Sequence, residues 1–124
     1  MTLKLYMFPF STTSRPVRLF IAEKKLPVTE HVIDLMTGEH MQPAFAAINP
    51  NMAVPVLEEG DFRLTESSAI LKYLAARFDA PEYPSDLKER ARVDSAMDWF
   101  NTGFYRDFAY GLVYPQTLPH QKRP

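Results

Sequence analysis

The stretch LKLYMFPFSTTSRPVRLF, Leu3 to Phe20, is the part of the chain from which the rest of the fold is read. Leu3, Leu5 and Met7 stand against Lys4 and Tyr6, the period of a short strand. Four hydroxyl residues follow in a row, Ser11, Thr12, Thr13 and Ser14. Ser14 is placed to cap a helix whose first turn holds Pro16, where a missing N–H does no harm. Val17, Phe20 and Ile21 fall on one face of that helix, and Pro27 after Leu26 stops it.

Working outward, Val28 to Asp34 predicts a second strand, and the segment between Gly38 and Ile48 a short helix with Phe45 and Ile48 turned inward. VPVLEEGDFRL predicts a hairpin: Val54 to Leu57, a turn at Gly60, and Phe62 to Leu64 returning. TESSAILKYLAARF opens with a capping residue and carries Ile70, Leu74 and Phe78 at helical spacing. A strand–helix–strand start implies a parallel pair joined by a right-handed crossover, and the hairpin adds antiparallel strands. The expected architecture over residues 1–78 is therefore a thioredoxin-like α/β domain of order βαβαββα.

Residues 79–85 read as a linker, with Pro81 and Pro84 interrupting any helix. Beyond it, Asp86 and Glu89 have capping-box spacing. A long helix is expected to run to about Tyr110, with Leu87, Ala91, Met97, Phe100, Phe104 and Phe108 on its apolar side. The tail from Val113 contains three prolines and predicts no regular structure. One long helix cannot bury its own apolar stripe, so residues 86–124 are read as the start of an incomplete all-helical domain.

Composition narrows the function. The chain has 124 residues, 46% hydrophobic and 23% charged, ordinary values for a globular protein. A net charge of −1 offers no basic field for nucleic acid or an anionic membrane surface. No apolar run approaches the ~18 residues of a membrane span. The apolar stretch after Lys4 is only Leu5 to Phe10, broken by Pro9, which is not a secretory signal. The absence of Cys excludes disulfides and thiolate metal sites and fits a reducing compartment, so a cytoplasmic address is expected. His31 and His120 have no metal-ligand partners at useful spacing, and no metal is expected. Thiol chemistry, if any, must use sulfur that arrives with a ligand.

Two roles are open to the hydroxyl run. One is helix capping and solvation of a tight loop. The other follows from position: the C-terminal end of a first strand, beside a helix N-terminus, is where open α/β sheets bind ligands and where an anion is favoured. A thiolate is such an anion. A thiol of pKa ~8.5 must shift by about two units to be mostly ionised near neutrality, roughly 2.7 kcal/mol. One charge-assisted hydrogen bond contributes ~1.5–3 kcal/mol, and a helix terminus ~0.3–1, rising to ~2 when partly buried. A single well-placed hydroxyl with the helix end suffices, and no protein base is required.

LKLYMFPFSTTSRPVR, INPNMAVPVLEEGDF and LTESSAILKYLAARF, in that order, resemble the N-terminal domain of a cytosolic glutathione S-transferase of the serine type. GEHMQPAFAAINPNMAVPVLEEGDFRLTESSAILKYL resembles the theta class and its bacterial relatives in particular, STTSRPVR resembles the zeta pattern, and ARVDSAMDW extends the likeness into the first helix of an all-α domain. The resemblance covers nearly the entire chain but about half of a typical family member.

The resemblance implies glutathione as cosubstrate, with Ser11 as the activating residue that donates a hydrogen bond to its sulfur. Thr12 and Thr13 are adjacent alternatives. Pro55 after Val54 matches the family's cis-proline, a turn that presents the Val54 backbone, with Ala53 before it, to the ligand's peptide. Glu66 and Ser67 match the pair that holds the γ-glutamyl end, an anion for its ammonium and donors at a helix N-terminus for its carboxylate. His40 matches a theta-class residue reaching the glycine carboxylate, whereas Met52 and Ala53 stand where many relatives place a basic residue. Along the aromatic run from Trp99 to Phe108, Phe100, Phe104 and Phe108 are read as interhelical core and Tyr105 as a residue of the electrophile pocket.

The activity implied is attack of the glutathione thiolate on a small electrophile, by a homodimer that binds neither nucleic acid nor membrane. A non-catalytic assembly module of the same fold is the competing reading. Against it stands the joint presence of Ser11, Val54-Pro55 and Glu66-Ser67, which a scaffold has no reason to keep. A glutaredoxin-type redox protein is excluded by the lack of a cysteine to form the mixed disulfide.

Overall fold

The computed structural model describes residues 2–121. Its sheet begins with β1 (Leu3–Met7), in which Leu3, Leu5, Tyr6 and Met7 are all buried. A strand covered on both faces occupies the middle of a sheet, and β1 does: the order is β2-β1-β3-β4. From β1 the chain passes into α1 (Ser14–Lys24) and returns as β2 (Val28–Val32), parallel to β1 with Leu3 opposite Val28 and Met7 opposite Val32. Val17 and Ile21 bury the inner face of α1. The helix ends with Lys25 in the left-handed region at φ 52°, its N–H bonded back to the Ala22 carbonyl, two residues before Pro27 forbids continuation.

β2 is an edge strand with an exposed surface, and the bidentate ion pair from Arg18 of α1 to Glu30 (2.9 and 3.2 Å) fastens it. A single 3₁₀ turn, Glu39–Met41, and the four-residue α2, Pro43–Ala46, take the place of the one short helix expected between Gly38 and Ile48. Pro43 at the start of α2 divides the segment, because it cannot donate within a continuing helix. Phe45 is buried as expected, and Ile48 is half-buried.

The hairpin is present as β3 (Val56–Glu59) and β4 (Phe62–Thr65), with Gly60 at φ 62° opening its two-residue turn. β3 pairs antiparallel with both β1 and β4. Helix α3 (Ser67–Arg77) then buries Ile70 and Leu74 completely. This mixed four-stranded sheet with its connecting helices is the thioredoxin-like arrangement expected from the sequence.

Two compact units divide the chain, Met1–Leu71 and Lys72–Pro124, the boundary falling inside α3. The second unit is dominated by one continuous helix. Asp86 caps α4 (Leu87–Trp99) by accepting the Glu89 N–H at 3.0 Å, the capping interaction the sequence predicts. Before it, Tyr83 donates its phenol to Asp94 (3.0 Å), Lys72 pairs with the same carboxylate (3.1 Å), and the Arg90 guanidinium lies 4.2 Å over the Tyr83 ring.

One expectation for this unit is corrected. The helix does not stop near Tyr110. It widens into a π-helix over Phe100–Val113 and continues as α5 (Tyr114–Thr117), followed after the extended Leu118 by a 3₁₀ turn at Pro119–Gln121, so most of the described part of the proline-rich tail is regular; residues 122–124 lie outside the described residues. Pro115 is accommodated because it falls in the first turn of α5. Phe100, Phe104 and Phe108 are 48%, 39% and 46% exposed. They stack on one another and on Trp99, Phe104 on Phe108 at 5.2 Å and Trp99 on Phe104 at 6.0 Å.

Candidate functional site

Strand directions bring the candidate residues together. β1 and β2 run parallel and end at the paired residues Met7 and Val32. Tyr6 near that end of β1 pairs with Val56, the first residue of β3, and Val56 pairs with Thr65, the last of β4. Four connections therefore open at one end of the sheet: the turn holding Ser11, the loop after β2 leading to His40, the approach to β3 through Val54 and Pro55, and the step from β4 into Glu66 and Ser67. This is the carboxyl end of three strands, where ligands of open α/β sheets bind.

At the Ser11 turn the local bonding differs from the expected capping. Ser14 is the first residue of α1, and its Oγ accepts the Phe8 N–H at 3.4 Å instead of capping the helix. The cap is Ser11. Its Oγ accepts the Ser14 N–H at 3.1 Å, while its carbonyl accepts the Arg15 N–H at 3.1 Å. Three residues separate cap oxygen and amide, the usual reach of an N-terminal cap. Ser11 is 3% exposed, so its hydroxyl lies within the turn's own network and not on open surface. Its further neighbour is Thr13, at 3.0 Å between hydroxyl oxygens. Thr13 is half-buried and donates to the Val54 carbonyl at 2.9 Å. Thr12 is half-buried beside them.

The Val54–Pro55 peptide bond is cis, as the resemblance implied. Both residues are buried, and Ala53 before them is exposed. The Val54 carbonyl has two lone pairs, of which Thr13 uses one. The turn leading here is organised by a residue that sequence reasoning passed over. Asn49, 3% exposed, accepts the Asn51 N–H at 3.0 Å and donates from Nδ2 to the Ala53 carbonyl at 2.9 Å. The available signal was its place before Pro50, since an Asn side chain that bonds the backbone two residues on is a turn-former. Met52, in the left-handed region at φ 52°, completes the turn.

Glu66 is exposed, and its backbone sits at φ 74°, a region sparsely used by non-glycine residues and enriched at functional sites. Its carbonyl accepts the Ile70 N–H at 3.0 Å, so it stands at the mouth of α3 with Ser67 as the first helical residue. An exposed carboxylate beside the free amides of a helix N-terminus offers a partner for an ammonium and donors for a carboxylate at neighbouring points.

His40 is 4% exposed within the 3₁₀ turn, an enclosed imidazole. Tyr105 belongs to the second unit, where it is half-buried on the π-helix; burial pushes its phenol pKa up, with the nearby Tyr114 and Tyr110 adding to the rise. Among the described residues, no cluster of His, Cys, Asp and Glu has the arrangement of a metal site, and no helix is long and apolar enough to cross a membrane.

Residues 5–82 match the family "Glutathione S-transferase, N-terminal domain". Glutathione S-transferase theta-1 of Bos taurus is 40% identical over 121 residues, 96% of this chain and 50% of that protein. Human glutathione S-transferase T1-1 in its apo form superposes with a TM-score of 0.79 at 42% identity, over 85% of this chain and 45% of that one. A glutathione transferase homolog from Sulfitobacter, solved with bound glutathione, gives 0.81 at 34% identity, over 90% and 54%. The chain thus spans about half the length of the relatives it matches.

Proposed function

Since the chain belongs to the glutathione S-transferase family, we propose that the protein it represents is a theta-like glutathione transferase, in which residues 1–78 form the glutathione-binding domain and residues 86–124 open a helical domain that holds the electrophile. The observation that carries this reading is the gathering of Ser11, Val54-Pro55 and Glu66-Ser67 at one end of the sheet. Solved relatives that hold glutathione support the choice of ligand.

In the proposed complex the tripeptide lies along Val54, whose carbonyl accepts from the ligand's backbone as an added strand does. Its γ-glutamyl ammonium meets Glu66, and the adjoining carboxylate meets the amides at the mouth of α3. Its glycine end lies toward the 3₁₀ turn of His40. The sulfur comes to the Ser11 turn, where the hydroxyl proton and the N-terminus of α1 favour the thiolate. Attack on the electrophilic carbon then forms the S–C bond as the leaving group departs with its electron pair. The electrophile is a small molecule, Tyr105 lines its pocket, and the protein acts as a cytoplasmic homodimer.

Isothermal calorimetry with glutathione, followed by ultraviolet titration of the bound thiol, tests the reading. Micromolar to millimolar binding with a thiol pKa below the free value of ~8.5 is expected. Binding with an unshifted thiol would leave a glutathione-binding module without the means to activate it.

A further inference from the structure

We infer that Thr13 is a positioning residue: its single hydroxyl aims the Ser11 proton and fixes the Val54 carbonyl, tying the sulfur-binding turn to the peptide-binding turn. The inference rests on Ser11 being the hydroxyl that meets the glutathione sulfur, and it adds a residue whose part the family resemblance left open.

Proton counting gives the direction of each bond. The Val54 carbonyl can only accept, so the 2.9 Å contact consumes the one hydrogen that Thr13 Oγ1 carries. In the 3.0 Å contact between Ser11 Oγ and Thr13 Oγ1, Ser11 must then be the donor. Ser11 Oγ in turn accepts from the Ser14 amide at 3.1 Å. The bonds run one way, from Ser14 N–H through the Ser11 and Thr13 hydroxyls to the Val54 carbonyl. A one-way chain is cooperative, each donor polarised by the bond behind it.

This arrangement holds the Ser11 proton ready with its rotamer fixed. A thiolate arriving beside Ser11 competes with Thr13 for that proton and wins, because a charged acceptor makes a bond roughly twice as strong as a neutral one. Thr13 loses a donor but keeps its bond to Val54, so the peptide-binding turn does not move when the proton is redirected. The two turns lie 41 residues apart in sequence, and Thr13 Oγ1 is the atom that touches both.

The test is a set of variants in the full-length protein, read by titration of the bound glutathione thiol and by steady-state kinetics. Thr13→Val keeps the branched shape and removes the hydroxyl. With the competitor for the Ser11 proton gone, the bound thiol pKa is expected to fall by about half a unit, while kcat/KM for glutathione drops roughly five- to tenfold through a higher KM, because the Val54 carbonyl loses its fixed partner. Thr13→Ser restores the hydroxyl and is expected to return both toward wild type. Should Thr13→Val not fold, Thr13→Ala is read in the same way. An unshifted thiol pKa in Thr13→Val, alongside a raised one in Ser11→Ala, overturns the role of Thr13 and leaves that of Ser11 standing. Equal loss in Thr13→Val and Thr13→Ser also overturns it, since shape and not the hydroxyl would then matter. An unshifted pKa in Ser11→Ala removes the underlying reading of the site.

Discussion

The Ser11 hydroxyl oxygen takes the backbone N–H of Ser14 at 3.1 Å, so the residue proposed to activate sulfur is also the cap of the helix beside it. One side chain thereby carries two separable effects. Ser11→Ala is expected to retain glutathione binding while raising the bound thiol pKa by about one to two units, the loss of one charge-assisted bond. The same change should lower folding stability by ~1 kcal/mol through the uncapped amide. Thiol titration and denaturant unfolding read the two effects independently; a stability loss with an unmoved thiol pKa would make Ser11 a cap and nothing more.

Glu66 tests the other end of the ligand. Its carboxylate is exposed, so its attraction for an ammonium is screened by solvent. Glu66→Gln is expected to weaken glutathione binding roughly three- to tenfold by calorimetry and to leave the thiol pKa of the bound ligand where it was. Unchanged affinity would take Glu66 out of the site.

Asp86 concerns stability alone. Its side chain accepts the Glu89 N–H at 3.0 Å at the start of α4. Asp86→Ala should cost ~1 kcal/mol in urea unfolding and Asp86→Asn much less, because Asn caps nearly as well. Equal loss in both variants would point to charge and not to capping.

Asp94 is expected to contribute acid sensitivity to the second unit. The Lys72 ammonium hydrogen-bonded to it holds its carboxyl below the usual aspartate range, with the Tyr83 phenol assisting against partial burial. A depressed carboxylate pKa contributes stability that is complete above the unfolded value, ~3.9, and is lost as pH falls through the folded value. Thermal unfolding followed by the Trp99 signal should show this loss below about pH 4, and Asp94→Asn should flatten the profile there. An identical profile in the variant would refute the assignment.

The sheet was legible because its signals are local: the alternation of Leu3, Leu5 and Met7, the glycine turn of the hairpin, and the helical spacing of Ile70 and Leu74. Capping at Asp86 was legible for the same reason. Which of four hydroxyls caps α1 was not. Ser11 and Ser14 are chemically alike, and the choice depends on the path of the Phe8–Thr13 turn, in which the Ser11 N–H bonds back to the Phe8 carbonyl. Asn49 was missed because its work is done on the backbone of its neighbours. The helix past Tyr110 was hidden by Pro115, a breaker in most interiors that is harmless in a first turn. The exposure of Phe100, Phe104 and Phe108 could not be read from spacing, since an apolar stripe has the same period whether or not another helix covers it.

The grip of Arg18 on Glu30 bears on how the molecule behaves in a crowded solution. β2 is the outermost strand on its side of the sheet, and its bare amides and carbonyls are a template on which a foreign strand can grow. A newcomer aligned there must strip water from a fixed guanidinium–carboxylate fork at the middle of that border. The contact that fastens α1 to the rim thus also discourages fibrous stacking of one molecule on the next.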